Sequence, residues 1–261
     1  MSRTPSSSAF TLIELLVVIA VVGILASIAS IAAVRAIAQG RTAACQLNLR
    51  TWGNAFYAYA ADHKGFFPHG DDQTRSDKSG WADDPHDHSY VDELPPYLGL
   101  PAWRDYPPGQ KPTGSPWQCP AAEFANPSEY AFDVKNDGIR TYAMNTYLSY
   151  DFDYGGLGKK GGPYLNTLRC DAPARTILMF DQCASPSDTA TRGRKTDAGL
   201  HSAQDPSYIS TRHKKALSGS GANFLFLDGH VDWRDDVWVK VHSDVPKPGD
   251  REWLPYNYGR E

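Results

Sequence analysis

The chain has 261 residues, a formal net charge of −4, and 41% hydrophobic against 21% charged residues. That length supports a sizeable hydrated domain with its own core, and the mild acidity excludes a basic nucleic-acid-binding surface. The densest basic block, Arg212-His213-Lys214-Lys215, is too short to be more than a solvated face.

The first predicted element is an apolar run from Phe10 to Val34 that carries one charge, Glu14. A helix rises about 1.5 Å per residue, so the run is long enough to cross a hydrocarbon core of about 30 Å. Arg35 ends it. A secretory signal peptide has a shorter apolar stretch behind a basic n-region, whereas Met1–Ala9 holds only Arg3. A plain signal anchor accounts for the length but leaves Glu14, a carboxylate at an expensive depth, without a purpose. In a filament of packed helices that carboxylate would meet the positive amino terminus of a neighbour. Removing one partner of such a buried pair costs roughly 3–5 kcal/mol.

Residues Ala9-Phe10-Thr11-Leu12-Ile13-Glu14-Leu15-Leu16-Val17-Val18-Ile19-Ala20 resemble the N-terminal motif of type IV pilins and type II secretion pseudopilins. The resemblance implies a leader over 1–9, cut by a prepilin peptidase between Ala9 and Phe10. It implies N-methylation of Phe10 and a role for Glu14 as the assembly residue. Where the family usually has glycine before the cut, this chain has Ala9. Residues 10–34 would be the transmembrane and assembly helix, with the head on the exported side of the inner membrane. The implied partners are the peptidase, membrane lipid, sister pilins and an inner-membrane assembly platform. Flanking charge alone reads the other way, since Arg35, Arg41 and Arg50 follow the run and only Arg3 precedes it; the processing motif overrides that reading.

After Arg35 the helix is predicted to continue as an amphipathic segment over 35–64. Cys45, Leu49, Trp52, Phe56 and Tyr59 recur at alternating spacings of four and three, one apolar stripe on a helix. Gly40 and Gly53 weaken this segment by about 1 kcal/mol each relative to alanine. Lys64-Gly65, with Pro68 beyond, predicts a glycine C-cap. Residues 65–261 form the head.

From Pro68 to Pro116 the chain is rich in Asp, His, Pro and Gly and reads as long loops. Within it, Asp83-Asp84-Pro85-His86-Asp87-His88 has metal-ligand residue types, but proline splits the group and a solvated loop has the same composition. The glycine-rich stretch 154–162 lacks the order of a phosphate-binding loop. Ala222–Leu227 is predicted as a strand, Asp228-Gly229 as a two-residue turn with positive φ at both positions, and His230–Trp233 as the return. Together these make a hairpin over 222–233. Arg175–Asp181 and Trp238–Val241 are further strand candidates. The predicted fold class is α+β and pilin-like: a long N-terminal helix packed on a small antiparallel sheet with long loops.

A second resemblance rests on the order of several short pieces: Cys45-Gln46-Leu47-Asn48-Leu49-Arg50, Cys119-Pro120, Tyr142-Ala143-Met144-Asn145 and Ile177-Leu178-Met179-Phe180-Asp181. These are similar to a group of pilin-like proteins with a C-terminal H-x9-DG motif. Here fourteen residues intervene between His213 and Asp228 instead of nine, and the extra length is assigned to a Lys214–Gly221 loop. Asp181, His213, Asp228, Gly229 and His230 either converge as a divalent-ion site, with calcium the candidate cofactor, or serve turn geometry and local pairing. The second reading is preferred.

Cys45, Cys119, Cys170 and Cys183 lack the C-x-x-C spacing of a zinc site and allow three disulfide connectivities. The preferred pairs are Cys170–Cys183, which closes a short loop, and Cys45–Cys119, which ties helix to head. No G-x-S-x-G, H-E-x-x-H or recognisable Cys/His context assigns a catalytic residue. The reading is therefore a non-enzymatic subunit of a type II secretion pseudopilus or type IV pilus-like filament. The alternative is a membrane-tethered head with glycan-binding or hydrolase activity, its 14 Tyr and 7 Trp stacking on sugars.

Overall fold

The computed structural model describes residues 12–68, 89–124, 138–145, 148, 170, 172–184, 202–203, 209–215 and 219–242. Its arrangement is α+β and pilin-like: one long helix packed on a small, mostly antiparallel sheet. Helix α1 runs unbroken from Leu12 to Asp62, 51 residues and hence about 77 Å. It ends one step earlier than a glycine cap requires. Lys64 takes the left-handed conformation (φ 58°), and Gly65 behind it (φ 85°) donates its N–H to the Ala60 carbonyl at 2.7 Å.

The two halves of α1 have different surroundings. In the second half Cys45, Leu49, Trp52, Ala55, Phe56 and Ala60 are buried against the head. Trp52 packs edge-on against Trp117 (5.0 Å) and Tyr90 (5.9 Å), and Phe56 against Phe67 (5.2 Å). Two buried polar groups on this face are satisfied by the segment that lies over it. Trp52 Nε1 donates to the Pro116 carbonyl at 2.9 Å, and Asn48 Nδ2 to the Gln118 carbonyl at 3.2 Å. Asn48 Oδ1 accepts from Ser115. This segment belongs to the stretch read as open loop, yet the described part of it is built into the core. Helix α2 (Tyr90–Glu93) and two short 3-10 turns, Pro95–Leu98 and Trp103–Asp105, bury Tyr90, Val91, Leu94 and Trp103.

The sheet contains β1 (Tyr142–Asn145), β2 (Ile177–Asp181), β3 (Ser202–Ala203), β4 (His213–Lys215), β5 (Gly219–Phe226) and β6 (Val231–Asp235). Strand β5 is central, pairing antiparallel with β2, β4 and β6, while β1 pairs antiparallel with β2 and parallel with β3. Along β5 the faces alternate cleanly. Leu225 joins the core shared with α1, while Ala222, Phe224 and Phe226 line a second core on the opposite face. Strand β2 breaks the alternation. A register shift between Ile177 and Met179 sends Leu178 and Met179 both to the α1 side, with Ile177 and Phe180 on the other. The bulge inverts the phase of the residues after it and brings Asp181 to the α1 side.

Three sequence expectations change here. Trp238–Val241 is not a strand: Asp236–His242 is helix α3, because Asp235 Oδ1 accepts the Trp238 N–H at 2.7 Å as an N-cap. The Asp228-Gly229 turn is a three-residue loop. Gly229 N–H bonds the Phe226 carbonyl and Phe226 N–H bonds that of His230 (both 2.9 Å), and Gly229 alone in the loop has positive φ, 88°. The extra residues before the hairpin are largely strand, with His213–Lys215 laddered to Gly219–Gly221.

Candidate functional site

The first site is the N-terminal half of α1. Large apolar side chains from Leu12 to Ile37 are 49–81% exposed, and α1 is long and apolar enough to cross a membrane. Fifteen such side chains contribute to this surface. At about 1.5–3 kcal/mol each, leaving them in water would cost on the order of 20 kcal/mol or more. So extensive a bare apolar surface fits a half that is surrounded by lipid or other helices. Its hydroxyls suit such surroundings: Ser27 Oγ donates to the Ile24 carbonyl (2.7 Å) and Ser30 Oγ to that of Ala26 (2.8 Å). Glu14 lies in the first turn, where the helix dipole favours an anion. Ala9 and Phe10 lie outside the described residues, as do Asp83–His88 and the 154–162 stretch.

The second site is the joint between α1 and the sheet. Asp181 on β2 and His213 on β4 meet there, both fully buried, with His213 Nε2 3.0 Å from Asp181 Oδ2. The same oxygen accepts from the backbone N–H and the side-chain Nδ2 of Asn223, each at 2.9 Å. Asn223 Oδ1 in turn accepts from Gln46 of α1 at 3.0 Å. His213 Nδ1 lies 3.2 Å from Thr42 Oγ1, whose hydroxyl donates to the Ala38 carbonyl at 3.1 Å. Once that hydroxyl proton is committed, both ring nitrogens face oxygen acceptors, Thr42 Oγ1 at Nδ1 and the Asp181 carboxylate at Nε2.

Burial by itself would raise the Asp181 carboxyl. The charge and hydrogen bond of His213, the Arg212 guanidinium and the Asn223 N–H outweigh it and hold the group below its usual range. Nearby, burial and then the Asp181 charge push the Tyr142 phenol well above its ordinary value. Asp181 Oδ1 has no hydrogen-bond partner among the described residues.

Cys45 of α1 and Cys119 form a disulfide at this joint. The other proposed pair is not formed: neither Cys170 nor Cys183 is disulfide-bonded. Cys170 is half-buried, its Sγ 3.5 Å from Thr176 Oγ1, and Cys183 is buried at the end of β2. Cys119 Sγ lies 3.5 Å from His213 Nε2. This is not a nucleophilic triad, which sets thiol and carboxylate on opposite ring nitrogens. Here both face Nε2, and the sulfur is already bonded.

Asp228 and His230 form a separate pair at the tip of the β5–β6 hairpin, with Asp228 Oδ1 accepting from His230 N–H at 3.1 Å and contacting Nδ1. Gly229 supplies the left-handed turn position between them. The tip lies roughly 15 Å along β5 from Asn223 at about 3.3 Å per residue. The five motif residues thus divide into a buried pair and an exposed turn. Tyr57 of α1 holds the tip by a hydrogen bond to the Leu227 carbonyl; burial first, then Asp228 and Cys170, push its phenol up to about 12. Trp52, Trp103 and Trp117 are buried in the core rather than offered to sugars.

Thr42, Gln46 and Asn223 went unnoticed in the sequence. Asn223 did leave a signal, as an amide in an otherwise apolar strand. Thr42 left a weaker one, three residues before Cys45 on the buried stripe.

Residues 5–30 match the family model described as the prokaryotic N-terminal methylation motif. No curated protein and no solved structure matches the chain. The motif supports a type IV pilin-like subunit, and such a motif implies processing by a prepilin peptidase and assembly with other pilins. With α1, it fits a single-pass membrane anchor.

Proposed function

We propose that the chain is a structural subunit of an envelope-spanning filament, either a type II secretion pseudopilus or a type IV pilus-like fibre. The observation that carries this reading is the division of α1: its second half is clasped by the head, and its first half is covered by no described part of the chain. In the membrane that half is a single span with the head on the exported side. A disulfide at the joint accords with an oxidising compartment for the head. In the filament the same surface packs on sister helices, and Glu14 faces the amino terminus of a neighbour. Cleavage falls between Ala9 and Phe10, followed by methylation of Phe10. The head resemblance to the H-x9-DG group belongs to this reading, with no reaction assigned to the head.

Mass spectrometry of the chain isolated from membranes tests it. A mature N-terminus at Phe10, one methyl group heavier than the unmodified residue, is the expected result. An intact Met1 terminus, or cleavage within 26–33 as a signal peptidase would give, defeats it.

A further inference from the structure

The disulfide and His213 crowd into one buried point, with the Asp181 carboxylate beside the His213 ring, and the four residues come from separate parts of the chain. The sulfurs of Cys45 and Cys119 and a ring nitrogen of His213 all lie within 4.8 Å of one another. His213 Nε2 is 3.0 Å from Asp181 Oδ2 and 3.5 Å from Cys119 Sγ. Ligands on a tetrahedral zinc ion stand about 2.0–2.3 Å from the metal, which puts neighbouring ligand atoms about 3.3–3.7 Å apart. The His213–Cys119 spacing therefore matches that of a closed site, and the Asp181 carboxylate stands beside the same ring nitrogen. The covalent bond between the sulfurs is what keeps a metal out.

We propose that reduction of the Cys45–Cys119 disulfide opens a zinc site made of both sulfurs, His213 Nε2 and an Asp181 carboxylate oxygen. A dithiol reductant supplies two electrons and two protons, the S–S bond breaks, and the reductant becomes a disulfide. The two thiols then separate to non-bonded contact, and they and the Nε2–H of His213 lose their protons to solvent as the metal binds.

The surroundings of these groups are those of a ligand set. Thr42 accepts the Nδ1–H of His213, so that once Nε2 gives up its proton its lone pair is the one presented to a metal. Asn223 holds Asp181 through Oδ2, and Oδ1, which has no hydrogen-bond partner among the described residues, is a buried acceptor open to a cation. Two thiolates and a carboxylate against a divalent ion leave one negative charge, and Arg212 acts on Asp181 from nearby. Sulfur and imidazole ligands select a borderline-soft ion such as zinc over calcium. The metal would replace the disulfide as the tie between α1 and the head whenever the chain is reduced.

The test uses the full-length chain in detergent micelles, reduced anaerobically with a phosphine until alkylation and mass spectrometry find Cys45 and Cys119 as thiols. Cobalt(II) serves as the probe. The expected result is one cobalt per reduced chain, with tetrahedral visible bands and sulfur-to-cobalt charge transfer, and none in the oxidised chain. Zinc should displace the cobalt and protect Cys45 and Cys119 from alkylation. X-ray absorption of the zinc form of the Cys170→Ser/Cys183→Ser chain should give two sulfurs, two lighter ligands and imidazole scattering. The proposal is overturned if the reduced chain takes up no cobalt, if protection maps to Cys170 and Cys183 instead, or if imidazole is missing from the zinc shell.

Discussion

Asp181 loads one carboxylate oxygen with three donors, and that arrangement decides how the joint responds to substitution and to acid. Asp181→Asn keeps the shape but removes the anion facing His213. The expected loss is about 3 kcal/mol, the cost of leaving one member of a buried pair unmatched, read from denaturant unfolding of the full chain in micelles. The direction of the shift sets the pH dependence. Because the folded carboxyl titrates below its unfolded value of 3.8, its contribution is complete above that value. It drains away as pH falls through the folded value. The wild-type chain should therefore lose stability below about pH 4 more steeply than Asp181→Asn; parallel acid curves for the two would contradict this account. Glycines give a second contrast of sign. A Cβ on Gly221 would lie 2.2 Å from the Arg234 carbonyl oxygen and 2.4 Å from the Trp233 ring, so the β5–β6 ladder must shift. Gly40 has open space around it. Gly221→Ala should cost about 2–3 kcal/mol, whereas Gly40→Ala should gain up to about 1 kcal/mol in helix propensity. Thermal melts of the two variants should move in opposite directions.

At the scale of elements, the joint is one helix face held to a sheet by a disulfide whose cysteines are 74 residues apart. Cross-linking a loop of that size removes about 4 kcal/mol of chain entropy from the unfolded ensemble. Cys45→Ser/Cys119→Ser should lower head stability by about that amount. Fluorescence of Trp52 and Trp117, which pack within 5.0 Å of one another beside the bridge, is the readout. An unchanged midpoint would mean that apolar packing alone holds the joint. The elements readable from sequence were those whose signal is local and periodic. The α1 stripe follows 3.6-residue spacing, and the β5–β6 hairpin follows Asp-Gly between apolar runs. Helix α3 is not legible in the sequence because Trp238-Val239-Lys240-Val241 alternates as a strand would, and the Asp235 cap outweighs that pattern. The β2 bulge has no periodic signature at all, yet it is what turns Asp181 toward α1. Asp181 and His213 were legible as candidates because they stood in motif-like stretches. Their meeting with Thr42 and Asn223 was not, since it depends on strand order and on which face of α1 the sheet covers.

For the whole molecule, the decisive contrast lies between an N-terminal rod that the described head leaves bare and a head that clasps the rest of the helix. On the proposed function the rod has two homes, lipid or a bundle of sister rods, and both cover its apolar side chains about equally well. Apolar burial therefore does little to choose between them, because hydrocarbon tails and leucine side chains are comparably apolar. The choice falls to whatever differs between the two surroundings. Glu14 differs most. In hydrocarbon a carboxylate is costly. In a bundle it can meet the free amino terminus that cleavage before Phe10 would create, a charge pair worth far more than in water. Glu14→Ala removes this preference while sparing the head, whose described contacts begin with Thr42. The variant should accumulate in the membrane fraction with its disulfide formed and its N-terminus processed, and should be missing from sheared filaments. Co-expression with tagged wild-type chain followed by filament pull-down measures this directly. Recovery of Glu14→Ala in filaments at the wild-type ratio would mean that the rod assembles by apolar packing alone, leaving the carboxylate without its assigned role.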